Sequence, residues 1–154
     1  MGQETKYSQE EILELRQTQF AEALRKADAA KANELYEHIH PVDLAEAMED
    51  WEEELLSRFC GLLEDEKLAE LLEEADEKLQ VELIHKLDNS RLLKIFGFMQ
   101  KDDIVDILGN LRINRRKQLI DLMRAGERKI ITELLGYDED TAGGLMTTAY
   151  IALN

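Results

Sequence analysis

The stretch Leu68-Ala69-Glu70-Leu71-Leu72-Glu73-Glu74-Ala75-Asp76-Glu77-Lys78-Leu79-Gln80-Val81-Glu82-Leu83-Ile84-His85-Lys86-Leu87 decides the fold. Leu68, Leu71, Leu72 and Ala75 stand at i, i+3, i+4 and i+7; Leu79, Leu83, Ile84 and Leu87 stand at i, i+4, i+5 and i+8. Each set draws one apolar stripe along a helix of about three turns. The stretch therefore reads as two short helices joined by a tight turn.

Working outward in steps of 24 residues, the same pattern recurs. Leu35, Phe59, Leu83, Ile107 and Ile131 form one series, and Ile39, Leu63, Leu87, Leu111 and Leu135 a second. Leu24, Met48, Leu72, Phe96 and Ile120 form a third, Ala23, Ala47, Leu71, Ile95 and Leu119 a fourth, and Trp51, Ala75, Met99 and Met123 a fifth. Every member is apolar. A single hairpin cannot bury its stripe alone, whereas stacked neighbours can. The expected fold is all-α: a right-handed superhelix, or solenoid, of short helical hairpins with a 24-residue repeat.

End signals set the expected boundaries. Ser8-Gln9-Glu10-Glu11 reads as a capping box, and Pro41 suits the first position of a helix, where its missing N–H costs nothing. Ser90 is the expected N-cap of a helix from Arg91 to Met99, and Gly136 the C-cap glycine after Leu135. Ten helices are expected between Ser8 and Leu135. The superhelical domain then spans residues 1–136. From Tyr137 the pattern breaks, and Thr148 to Leu153 reads as a first strand. A lone strand needs a partner, so residues 137–154 are expected to be a junction and the first element of a further domain.

Composition narrows the function. The chain has 154 residues, 44% of them hydrophobic, only one proline and a formal net charge of −15. Such a surface repels nucleic acid and anionic lipid and favours cations or basic partners. The charge is uneven: Asp43 to Glu77 hold fifteen acids against Arg58 and Lys67, while Lys101 to Arg124 hold six bases and four acids. No apolar run reaches the length of a membrane-spanning helix, and the polar N-terminus is not a secretory signal. A cytoplasmic setting is expected.

Few residues stand out for chemistry. His38 and His40 read as lying on different sides of a helix, and neither they nor His85 has metal-motif spacing. Cys60 shares its repeat column with Tyr36, Ile84, Leu108 and Thr132, so it reads as a packed small side chain. Trp51 reads as core. No phosphate-binding or nucleophile motif is present, and no enzyme activity is expected. Asp102 and Asp106 lie four apart and share one helix face. On residue pattern alone, this pair is a solvated acidic face or a partial site for a hard cation such as Mg2+, which takes one or two carboxylates and keeps its waters.

Three segments together resemble one family. Tyr137-Asp138-Glu139-Asp140-Thr141-Ala142-Gly143-Gly144-Leu145-Met146-Thr147 is similar to the junction, in MgtE-type magnesium transporters and channels, between a superhelical cytosolic N domain and the first cystathionine-β-synthase-type (CBS) domain. Met99-Gln100-Lys101-Asp102-Asp103-Ile104-Val105-Asp106-Ile107-Leu108 resembles that family's Met-Asp-Pro-Asp-Asp-x-x-Asp-Leu-Leu element. His40-Pro41-Val42-Asp43-Leu44-Ala45-Glu46 resembles its His-Pro-x-Asp-Leu-Ala segment. Gln100 and Lys101 replace the usual acid and proline, which removes one acid and sets a cation beside the pair.

The resemblance implies a regulatory, Mg2+-sensing cytosolic domain that closes against CBS domains of the same parent chain when Mg2+ is high. The parent would be a homodimeric protein of the cell membrane. The resemblance implies Mg2+ as the bound ion, held weakly at an interface, with Asp102 and Asp106 as leading ligands. Glu70 matches a further metal position of the family, and Gly143 or Gly144 would offer a backbone carbonyl. The alternative is a helical-solenoid interaction scaffold without metal dependence, similar in style to flagellar motor switch domains. Arg112, Arg115, Arg116 and Lys117 would then form its docking patch.

Overall fold

In a computed structural model, residues 7–136 are described, and among them there are ten α-helices and no strand. The helices are α1 (Gln9–Arg25), α2 (Ala29–Tyr36), α3 (Pro41–Met48), α4 (Glu53–Leu62), α5 (Asp65–Glu74), α6 (Glu77–Ile84), α7 (Asn89–Phe96), α8 (Lys101–Gly109), α9 (Ile113–Leu122) and α10 (Ala125–Leu135). The expected strand at Thr148 to Leu153, with the whole junction from Tyr137, lies outside the described residues.

Helix starts fall at steps of 24 residues in two interleaved series. Ala29, Glu53, Glu77, Lys101 and Ala125 open α2, α4, α6, α8 and α10; Pro41, Asp65, Asn89 and Ile113 open α3, α5, α7 and α9. Local chemistry explains several of these starts. Ser8 and Glu11 form the reciprocal capping box on α1. The carboxylates of Asp28, Asp76 and Asp88 accept the N–H of Lys31, Leu79 and Arg91 at 3.1, 2.8 and 2.8 Å. Each such cap satisfies a donor that the first turn otherwise leaves without a partner.

Two details differ from the sequence reading. The helix expected from Arg91 begins two residues earlier, with Asp88 and not Ser90 as its cap. An ionised carboxylate both accepts the hydrogen bond and meets the positive end of the helix dipole. His38 and His40 are not on a helix: they sit in the turn between α2 and α3, and His40 Nδ1 accepts the Val42 N–H at 3.2 Å. Gly136 ends α10 as expected, with φ of 79°, a left-handed conformation that glycine adopts without a Cβ penalty.

The helices fall into two compact units, divided between Phe98 and Met99. In the first, α1 packs on α2 and α4, α2 on α4, and α4 on α6, while α3 packs on α5 and α5 on α7. Next-but-one neighbours thus form continuous rows. Phe20 is fully buried, with Phe59, Trp51 and Tyr36 at ring-centroid distances of 6.0, 6.2 and 6.4 Å. In the second unit, α10 packs on α8 and α9 around Ile104, Ile107, Leu108, Leu119 and Ile131. No member of the five apolar columns is exposed; Leu35, Ala47, Trp51, Ala75 and Leu135 are half-buried and the rest are buried.

Candidate functional site

The leading candidate ligands stand on α8. Gln100 makes no side-chain cap bond there, so Asp102 and Asp103 in the first turn supply the negative charge that the N-terminus favours. Asp102 and Asp106 are both exposed, and no hydrogen bond or ion pair between described residues engages either carboxylate. Lys101, which the sequence sets beside them, directs its ammonium to Glu127 on α10, with Nζ 3.4 Å from Oε2. The cation is therefore partly neutralised away from the aspartates.

Glu70 stands on α5, in the first unit. Its Oε1 accepts a 2.8 Å hydrogen bond from the hydroxyl of Tyr36 on α2. Tyr36 is buried, and burial first, then the adjacent Glu70 carboxylate, push its phenol well above the ordinary tyrosine value. The same hydroxyl lies 3.3 Å from the Lys67 carbonyl oxygen. It has one proton to give, and the charged acceptor at the shorter distance is the stronger partner. Gly143 and Gly144 lie outside the described residues. Among the described residues, no three His, Cys, Asp or Glu side chains converge in a way that could hold a metal ion. Each candidate is thus a partial site on its own element.

Acid crowding marks the first unit. Asp76, which caps α6, pushes the carboxyl of Glu49 upward as the largest of several causes. Lys67 is drawn between Glu64 and Glu37, at 2.6 and 3.1 Å, and the hydrogen bond to Glu64 is the largest cause raising its ammonium above the ordinary value.

Other residues singled out by sequence have structural roles. Cys60 is buried with Sγ 3.7 Å from the Leu83 carbonyl oxygen, and burial pushes its thiol up to about 12. That is the reverse of what a nucleophilic cysteine needs. His85 is exposed at the C-terminus of α6. Trp51 is half-buried against Phe20 and Phe59.

Two arginine clamps were not read from the sequence. Arg91 on α7 donates to the carbonyls of Cys60 and Leu63, where α4 ends, and pairs with Asp65 at 2.9 Å. Arg116 on α9 donates to the carbonyls of Leu108 and Leu111 at 2.8 and 3.0 Å, where α8 ends. Both satisfy carbonyls that a helix terminus leaves open. Arg116 therefore belongs less to the expected docking patch than to the frame, while Arg112 and Lys117 remain exposed. A basic residue shortly after a helix end is the available signal, although the acceptors come from the tertiary fold.

Comparison with known proteins gives a consistent result. The chain is 33% identical over 135 residues to the magnesium transporter MgtE of Thermus thermophilus, covering 86% of this chain and 30% of that protein. It is 23% identical over 128 residues to the magnesium transporter MgtE of Bacillus subtilis, covering 83% of this chain and 28% of that one. The chain thus spans less than a third of the curated relatives it matches. A crystal structure of the cytosolic domain of the Mg2+ channel MgtE in complex with ATP superposes with a TM-score of 0.68 at 32% identity, over 85% of this chain and 54% of that one. The soluble part of a magnesium transporter superposes at 0.71 with 22% identity, over 90% and 55%, and shares the fold. The family model of the MgtE intracellular N domain matches residues 39–140, a span that holds Glu70, Asp102 and Asp106. That span is most of the chain, and the chain therefore belongs to the MgtE intracellular N domain family.

Proposed function

We propose that this chain is the Mg2+-responsive regulatory domain of a magnesium transporter or channel, on the cytosolic side of the membrane. High Mg2+ favours its closure against CBS domains of the same parent chain, and the parent is a membrane homodimer. The observation that carries this reading is the family membership, together with the exposed Asp102 and Asp106 on one face of α8. A Mg2+ ion bridging such carboxylates to a facing domain binds the compact state better than the open one, which is the condition for shifting the population. When Mg2+ falls, the acids repel and the domains part. Two carboxylates are a partial site, so the isolated chain binds Mg2+ only in roughly the millimolar range or more weakly.

The test is an amide NMR titration with Mg2+ at fixed ionic strength, repeated with Asp102→Asn and Asp106→Asn. Fixed ionic strength matters because a chain of net charge −15 responds to any salt. Shifts centred on α8 and lost in both variants are expected. Diffuse shifts that persist in both variants, also in a longer chain extended through the CBS domains, would sink the proposal. A metal-independent interaction scaffold would then stand, favoured by the exposed Ile113, Leu122, Ile130 and Leu134 of the second unit.

A further inference from the structure

We infer that Tyr36 is a positioning residue that fixes the Glu70 carboxylate as a ready-made metal ligand; this rests on the reading of Glu70 as a ligand. An exposed glutamate samples many rotamers, and binding a cation must first hold it in one. Here that ordering is done in advance. The Tyr36 ring is 3% exposed and lies 6.4 Å, centroid to centroid, from the fully buried Phe20, so the phenol has little freedom. Its hydroxyl reaches Oε1 of Glu70 at 2.8 Å and leaves Oε2 with no printed partner among the described residues.

The donor and acceptor sit on different hairpins, α2 and α5, so the bond also ties the ligand to the aromatic cluster of the first unit. Ligating carboxylates are commonly held by such outer hydrogen bonds, and their loss weakens the metal more than the fold. The raised phenol keeps its proton throughout the neutral range and so remains a donor.

The test follows the side-chain carboxyl carbons by 13C NMR during a Mg2+ titration of the 154-residue chain at fixed ionic strength. Glu70 is expected to respond at severalfold lower Mg2+ than Glu66, an exposed acid on the same helix. Tyr36→Phe keeps the ring and removes only the donor. It is expected to erase that advantage while the responses of Asp102 and Asp106 stay in place, a selectivity that a general loss of structure would not produce. In the unmodified chain, the Tyr36 ring signals should shift with the same midpoint as Glu70, which keeps the test intact if the Phe variant folds poorly. A Glu70 advantage unchanged in Tyr36→Phe, or a ring that ignores Mg2+, would overturn the role of Tyr36 and leave Glu70 as a ligand. No Glu70 response beyond that of Glu66 in the unmodified chain would overturn both.

Discussion

Residues 1–98 carry 25 acids against 11 bases, whereas residues 99–136 carry six acids against eight bases. Both regions use the same 24-residue spacing of helix starts. They also differ in how the helices begin. In the first unit, side chains of Ser8, Asp28, His40, Asp76 and Asp88 cap their helices, while Glu52 and Glu64 do not. In the second, Gln100, Arg112 and Arg124 make no cap bond at all. The repeat constrains the apolar columns and leaves caps and surface charge to vary independently. The first unit is locally well encoded and electrostatically crowded; the second relies more on packing between its helices.

Three substitutions probe that contrast. The largest effect is expected for Phe20→Ala, which removes the centre of the aromatic cluster and should cost about 3–5 kcal/mol in urea unfolding. If the first unit barely loses stability, the cluster is not its keystone. Next, Asp88→Ala should cost about 1 kcal/mol, while Gln100→Ala, which removes no cap bond, should lie near zero. Equal losses would erase the distinction between capped and uncapped starts. The smallest effect is a gain: Arg112→Asp gives α9 an acceptor and a negative charge where its first turn has no acid, worth about 0.5 kcal/mol. A loss of stability would mean that Arg112 serves the fold in some other way.

The helical framework was legible because buried columns such as Leu24, Met48, Leu72, Phe96 and Ile120 must stay apolar whatever the surface does. The cap at Asp88 was misread because Asp88, Asn89 and Ser90 are all cap-competent, and side-chain chemistry alone does not choose among them. The column does choose: His40, Glu64, Asp88 and Arg112 all sit one residue before a helix start. The histidine turn was misread for a related reason, since Pro41 opens a new helix and makes His40 its cap. The Tyr36–Glu70 bond spans 34 residues, and nothing local announces it. Asp102 and Asp106 were legible as a pair on one face, but the diversion of Lys101 toward Glu127 depends on how α10 packs on α8.

The even spacing of helix starts also constrains how such a chain can change length. One residue inserted within a helix turns every later side chain of that helix by about 100°, carrying leucines outward and glutamates inward. A block of 24 residues preserves the phase of both helices and both turns. Duplication or loss of whole blocks is therefore the mutational step that this architecture absorbs most readily, and single-residue indels should survive only in the turns.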